Sequence, residues 1–109
     1  MAPKKTDHSE TYAENAALTK LFGTTPKVKI ITALLAESDH DCNITQIAEL
    51  AGIHRTTVYD HLEDLLDLGV IEETRMIGGS QLYRIDREST VAKDVAQLEW
   101  DLLDVITEE

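Results

Sequence analysis

Long hydrophobic runs are absent from the sequence, and so is an apolar N-terminus. No run approaches the roughly 20 apolar residues that a membrane-spanning helix needs. Residues 1–10 are polar, unlike a signal peptide. We therefore expect a soluble cytoplasmic protein without a membrane partner. At 109 residues the chain has room for one domain, but not for a catalytic domain beside it.

Aromatic residues are also scarce, at 5% of a chain that is 42% hydrophobic. The core must therefore be built from Leu, Ile, Val and Ala, a composition that suits helices packed on helices. The sequence also lacks a paired catalytic cluster and a phosphate-binding GxxxxGK loop. We therefore expect no enzymatic activity.

Cys42 is the single cysteine, which excludes a disulfide within the chain. We interpret it as a small, partly buried residue at the start of a strand. The preceding Asp39, His40 and Asp41 are potential metal ligands, but four consecutive loop residues cannot all point at one ion, and no CxxC or HxxxH motif accompanies them. We therefore expect a polar loop, with no metal and no cofactor.

Basic residues are few: 10 Lys and Arg oppose 21 Asp and Glu, for a net charge of −11. This balance has the wrong sign for a typical DNA-binding protein. The acids are not confined to a tail, because residues 30–87 combine four Arg with eleven acids (net −7) and residues 88–109 combine one Lys with seven acids (net −6). Such a surface is typical of salt-adapted archaea, since molar salt screens repulsion to within roughly 3 Å. We infer a halophilic, haloarchaeal origin.

Capping and turn residues divide the chain into predicted elements. Thr25 and Thr45 are suited to cap helices, Pro26 to open one, and Gly69 to end one. Ile44 is predicted to be the single inward residue of a short strand. The predicted elements are a flexible arm (1–11), helices over 12–22, 26–37, 46–51 and 55–68, strands over 70–76 and 81–85 joined by a turn at 77–80, and a last helix over 88–107.

Apolar spacing predicts which faces of these helices are buried. On the first helix the inward residues are Ala13, Ala16, Ala17 and Leu21. On the second they are Val28, Ile31, Leu34 and Leu35.

The stretch from Ile44 to Leu68 carries a helix-turn-helix pattern. Ala48 lets two helices approach closely, Gly52 accepts a positive φ at the turn, and Val58 fills the wedge between the helices. With these residues inside, the side chains expected on or near the exposed first two turns of the second helix are His54, Arg55, Thr56, Thr57, Tyr59, Asp60 and His61. His54 is expected to cap that helix.

This pattern, followed by the hairpin TRMIGGSQLYRI, resembles winged helix-turn-helix regulators of the MarR, ArsR and PadR type, particularly short haloarchaeal members. The resemblance covers residues 26–87. It implies a mainly helical α+β fold with a winged domain over residues 12–87, in which the helix from Arg55 enters the major groove and the wing lies along the backbone or minor groove.

Several side chains are therefore candidates for DNA contacts. Arg55 can donate two hydrogen bonds to guanine or bind a phosphate. Arg75 and Arg84 are candidates in the wing, although a surface salt bridge with Glu72 or Glu73 is the alternative. Asp60, Glu63, Asp64 and Asp67 depart from the basic residues of many relatives. The full candidate set is Arg55, Thr56, Thr57, Tyr59 and His61 on the helix, Arg75, Ser80, Gln81 and Arg84 in the wing, and Lys27.

The last helix shows a heptad seam of about two repeats. The seam consists of Val91, Val95, Leu98, Leu102 and Val105, and the face expected in solvent carries Lys93, Asp94, Glu99, Asp101 and Asp104. The seam can pack on the first helix or on a second copy of the chain, and we assign residues 88–109 to dimerisation. Trp100, Leu103 and Ile106 are expected to flank the interface.

The resemblance and the seam together predict a transcriptional regulator that binds double-stranded DNA sequence-specifically as a homodimer. Twofold symmetry would place two recognition helices roughly 34 Å apart on a palindromic promoter site. Cations are expected to bridge acidic side chains and phosphates. The alternative is a winged-helix protein-protein interaction module whose acidic surface binds a basic partner.

Overall fold

A computed structural model describes residues 16–107. Its elements are α1 (Ala17–Phe22), α2 (Pro26–Ala36), α3 (Ile44–Ala51), α4 (Arg55–Asp67), β1 (Ile71–Ile77), β2 (Ser80–Ile85) and α5 (Thr90–Thr107). The two strands form one antiparallel sheet. This mainly helical arrangement confirms the predicted winged helix-turn-helix fold. The predicted arm over residues 1–11, and Tyr12 and Ala13 of the first predicted helix, lie outside the described residues.

Side-chain caps decide where the second and third helices begin. Thr25 accepts a hydrogen bond from the Val28 N–H at 3.4 Å, and Pro26 follows it, as predicted. At α3 the Asn43 side chain accepts from the Gln46 N–H at 2.8 Å, while the Gln46 side chain accepts from the Asn43 N–H at 2.9 Å. This reciprocal pair satisfies two N–H groups that a helix start leaves free.

The start of α3 corrects two predictions. Thr45 does not cap the helix, because Asn43 does so two residues earlier. Ile44 is consequently the first residue of the helix and not a strand residue. The short strand pairing occurs at Cys42 instead: its N–H donates to the Tyr83 carbonyl at 2.8 Å, and the Tyr83 N–H donates back at 2.8 Å. Cys42 is buried, as expected for a small residue at a strand start.

The core lies among α2, α3, α4 and the base of the hairpin. Its fully buried large side chains are Ile30, Leu34, Ile47, Val58, Leu65 and Ile71. On α2 the predicted inward residues are confirmed for Leu34, which is fully buried, and for Ile31 and Leu35, which are half-buried and pack against the core. Val28 is half-buried, and the prediction missed Ile30 and Thr32, which are completely buried. Thr32 tolerates this position because its hydroxyl donates to the Lys29 carbonyl at 3.1 Å.

The first helix packs on the last through a buried carboxylate. Glu99 is only 4% exposed, and its two oxygens accept hydrogen bonds from the backbone N–H groups of Ala17 at 3.3 Å and Leu18 at 2.9 Å. The placement of Glu99 on a solvated face was therefore wrong, because the carboxylate satisfies free N–H groups at the start of α1. The inward assignment of Leu21 was also wrong: this side chain is 52% exposed.

The other charged residues of α5 lie as predicted, because Lys93, Asp94, Asp101 and Asp104 are exposed. Within residues 16–107, no helix combines the length and the apolarity needed to cross a membrane.

Candidate nucleic-acid interface

The turn between α3 and α4 has the predicted packing. Ala48 is 5% exposed and Val58 is completely buried. Gly52 adopts the left-handed conformation with φ 73° and ψ 36°, which glycine reaches without steric cost. The Gly52 and Ile53 N–H groups both donate to the Ala48 carbonyl, at 2.9 and 3.0 Å, and so close the turn.

His54 occupies the cap position of α4 but forms no side-chain capping hydrogen bond. Its backbone carbonyl accepts from the Thr57 and Val58 N–H groups, at 3.0 and 3.2 Å. The prediction that His54 occupies the cap position is therefore confirmed, but its imidazole forms no capping hydrogen bond. The His54 side chain is exposed, and so are the side chains of Arg55 and Thr56 at the start of α4.

The predicted recognition face is largely open to solvent. Arg55, Thr56 and Tyr59 are exposed, Tyr59 by 55%, whereas Thr57 and His61 are half-buried. Within residues 16–107, Arg55 forms no hydrogen bond and no ion pair. Its guanidinium therefore keeps all five N–H donors for a ligand.

A groove of about 310 Å³ separates the start of α4 from the hairpin. Arg55 and Tyr59 line it on the helix side, and Met76, Gly79, Ser80 and Gln81 line it on the hairpin side. The fold thus places predicted helix residues and predicted wing residues on opposite walls of one concave surface.

The hairpin turn has the two-residue form that its glycines suggest. Gly78 and Gly79 have φ angles of 55° and 83°, and Ile77 pairs with Ser80 across them. Both positive angles match the tight turn that suits twisted strands. Met76 and Ile77 beside the turn are 62% and 51% exposed, so the tip carries apolar rather than charged side chains.

A β-bulge interrupts the hairpin halfway along. Glu73 pairs with Tyr83 and Met76 pairs with Gln81, so two β1 residues, Thr74 and Arg75, face a single β2 residue. Bulges of this kind bend a strand and redirect its side chains.

Three of the predicted DNA-contacting cations are bonded to carboxylates of the chain itself. Lys27 lies 3.1 Å from Asp64, and Arg84 lies 3.1 Å from Glu72. Arg75 makes a two-pronged contact with Asp41, with its Nε 2.9 Å from Oδ2 and its Nη2 3.1 Å from Oδ1.

Glu72 is therefore the partner expected for Arg84, but Arg75 has a partner that no sequence pattern singled out. Asp41 lies 34 positions before Arg75, and only the folded loop brings the two together. The sequence carried one hint of this contact: Asp41 directly precedes Cys42, which was predicted to start a strand.

The environment of Asp41 strongly favours its ionised form. The Arg75 guanidinium and the Thr74 hydroxyl, which donates at 2.6 Å, together lower the pKa of Asp41 to about 2. Burial acts in the opposite direction on the neighbouring Cys42 and raises the pKa of its thiol. Among residues 16–107, no three His, Cys, Asp or Glu side chains are grouped so that they could hold a metal ion.

Residues 25–73 match the model of a family described as bacterial regulatory protein, arsR family. The matched region contains α2, α3 and α4 and the first residues of β1. A comparison with curated proteins found no match. Residues 25–73 are thus similar to the helix-turn-helix domain of the ArsR family, and a two-strand wing follows, which supports a winged-helix, DNA-binding transcriptional regulator.

The low pKa of Asp41 predicts a pH-dependent contribution to stability. Because the folded value of about 2 lies below the ordinary value of 3.8, the ionised carboxylate stabilises the fold above about pH 4, and this stabilisation is lost as the pH falls towards 2. We expect Asp41→Asn to lower the free energy of unfolding near neutral pH, and the difference from the wild type to shrink below about pH 4. Urea denaturation at a series of pH values measures this difference.

Asp39→Asn is the matched control, because the Asp39 side chain is 89% exposed and lies 3.9 Å from its nearest cation, Arg87. Its stability difference should be small at every pH. A constant deficit of Asp41→Asn down to about pH 2 would show that the ionised carboxylate is not its cause.

Proposed function

We propose that the chain is a transcriptional regulator that binds double-stranded DNA sequence-specifically, as a homodimer, at a palindromic promoter site. The observation that carries this proposal is the exposed start of α4 at Arg55, which faces the hairpin across a groove. This helix lies within the region that matches the ArsR family. The same α+β scaffold is known to place such a helix in the major groove. No catalytic step is part of the proposal.

The roles of the contacting residues follow from their exposure and bonding. Arg55 has a free guanidinium that suits guanine or a phosphate, and Thr56 and Tyr59 lie exposed beside it. Thr57 and His61 lie at the half-buried edge of this face. Ser80 and Gln81 face the same groove from the wing.

Lys27, Arg75 and Arg84 are each bonded to a carboxylate of the chain. They can therefore bind phosphates only through the N–H groups that do not contact that carboxylate.

Arg55→Ala should lower the affinity for specific DNA roughly tenfold, since one good side-chain contact to a base or phosphate contributes about 1–3 kcal/mol. A suitable probe is a fluorescein-labelled 30-base-pair duplex that the wild-type protein enriches from a random library. Fluorescence anisotropy gives the dissociation constants.

Arg87→Ala is the control variant, because Arg87 donates to the Ser38 carbonyl at 3.2 Å and lines the separate cavity beside α5. It should bind the duplex like the wild type. Unchanged binding by an Arg55 and Arg75 double variant would favour the alternative function, a protein-protein interaction module.

The surface of α5 supports the homodimer. At roughly 100° per residue, Ala92, Glu99 and Leu103 lie on one face of α5, and Ala92 and Glu99 are buried against the chain itself, while the centre of the predicted seam lies roughly 100° away. The seam is apolar yet incompletely covered: Val91 is 46% exposed and Val105 is 63% exposed. A second copy related by a twofold axis would bury this face against itself.

The double variant Val91→Asp, Val105→Asp should therefore be monomeric where the wild type is dimeric. Both positions are exposed in the single chain, so the charges should oppose association and leave the fold intact. Light scattering coupled to size-exclusion chromatography measures the mass, and circular dichroism checks the fold. Lys93→Asp makes the same change of two charges away from the seam and should remain dimeric. A dimeric double variant would place the interface elsewhere.

The internal ion pairs support adaptation to high salt. Lys27, Arg75 and Arg84 are already neutralised by carboxylates, so contact with DNA displaces few counterions from the phosphates. Other acidic side chains nearby, such as Asp60 and Glu63, are exposed and able to share cations with phosphates.

We expect the affinity to fall only shallowly with salt. In a plot of the logarithm of the association constant against the logarithm of the potassium chloride concentration, the slope should be about −2 to −3. The same duplex titrated across roughly 0.3–2 M potassium chloride gives this slope. A slope of about −6 to −10, typical of a conventional basic interface, would contradict salt adaptation without contradicting DNA binding.

A further inference from the structure

Asp41 belongs neither to the recognition helix nor to the hairpin, yet it binds two consecutive hairpin residues. It lies in the loop between α2 and α3, and its side chain is only 12% exposed. The Thr74 hydroxyl and the Arg75 Nε both donate to its Oδ2, and the Arg75 Nη2 donates to its Oδ1. One carboxylate thus accepts three hydrogen bonds from neighbouring residues.

Those two residues are the ones that form the β-bulge. At a bulge the regular ladder between the strands is interrupted, so its geometry depends on contacts from outside the ladder. Besides Asp41, the Gln81 amide donates to the Arg75 carbonyl at 3.1 Å. Next to Asp41, Cys42 pairs with Tyr83 of β2. The loop before α3 therefore fixes the bend of the hairpin relative to the helix-turn-helix.

The ion pair leaves Arg75 able to bind a second group. A guanidinium has five N–H donors, and Asp41 takes one from Nε and one from Nη2. The three that remain include the pair on Nη1 and Nη2 that forms a fork suited to a phosphate. The Arg75 side chain is 63% exposed, so this fork is accessible to solvent.

We propose that Asp41 is a positioning residue of the DNA interface, which holds the bulge and aims the free fork of Arg75 at a backbone phosphate. This inference rests on the proposed function. Its consequence is that an acidic residue strengthens DNA binding. Pre-organising the arginine avoids the entropy that a free side chain loses on binding.

If electrostatic repulsion alone mattered, removing the Asp41 carboxylate would strengthen DNA binding rather than weaken it. Removing a carboxylate from a surface that approaches DNA lowers the repulsion and frees the charge of Arg75, which should tighten binding. A nearly isosteric change of Asp41 therefore distinguishes positioning from repulsion by the direction of its effect.

The test compares Asp41→Asn, Asp39→Asn, Arg75→Ala and the double variant Asp41→Asn, Arg75→Ala. The probe is the labelled duplex enriched by the wild-type protein, titrated at a temperature where circular dichroism shows every variant to be folded. We expect Asp41→Asn to bind about fivefold more weakly, in line with the loss of one oriented contact. Asp39→Asn, which removes the same charge from the same loop, should bind like the wild type or slightly more tightly.

The double variant tests whether Asp41 acts through Arg75. Once Arg75 is removed, Asp41→Asn should cause no further loss of affinity, which a general destabilisation would not produce. Hydroxyl-radical footprints should lose protection only where the wing contacts the backbone, with the protection from α4 retained.

Equal or tighter binding by Asp41→Asn overturns the inference, and so does an equal loss of affinity in the presence and absence of Arg75. In both cases the wild type still binds its duplex, and the proposed function stands. Failure of the wild-type protein to enrich any duplex would refute the proposed function and this inference with it.

Discussion

The close approach of α3 and α4 is the contact on which the rest of the molecule depends. Ala48 has no side chain beyond Cβ, and Gly52 turns the chain with a positive φ, so Val58 can be buried completely between the two helices. A larger residue at position 48 would push α4 away from the core. Val58 and Leu62 face inwards, while Arg55, at the first position of α4, and Tyr59, about 100° around the helix from Val58, are exposed. The packing of α3 on α4 thus sets where the accessible start of α4 lies.

Most of the cations of the candidate interface are paired within the chain. A conventional DNA-binding domain presents unpaired cations, whereas in the described part of this chain Arg55 alone of the four predicted cations is unpaired, and Lys27, Arg75 and Arg84 are each bonded to a carboxylate. The Lys27–Asp64 pair is largely exposed, and such pairs contribute little to stability, typically under about 1 kcal/mol. The pairs of Arg75 and Arg84 each include a side chain that is one-third exposed or less, and they hold the two arginines in one orientation. For the salt-adapted regulator proposed above, long-range attraction would be screened, and DNA binding would depend on oriented side chains and short-range hydrogen bonds.

Local patterns in the sequence predicted much of the fold, and long-range pairs could not be predicted. The cap at Thr25, the turn at Gly52 and the hairpin at Gly78 and Gly79 are set by residues within a few positions of one another. The shift of the α3 start to Ile44 is also local, because Asn43 and Gln46 cap each other and start the helix before Thr45.

By contrast, the partners of Asp41 and Glu99 lie 34 and more than 80 positions away in the sequence. Their pairing follows only from the assembled fold. For the candidate site, the sequence therefore predicted the wing, the exposed helix residues and Glu72 as the partner of Arg84, but not Asp41 and Asp64, which bind Arg75 and Lys27.

The buried Glu99 changes how the last helix should be understood. A helix that served dimerisation alone would keep one apolar stripe and leave its other faces in solvent. α5 instead uses one face to bind α1 through the Glu99 carboxylate, while the adjacent seam remains half-covered. The two faces are about a quarter turn apart, so any rotation of α5 that improves one contact disturbs the other. In the homodimer proposed above, packing of α1 and association of two copies would be coupled through this one helix, and the spacing of the two recognition helices would depend on both.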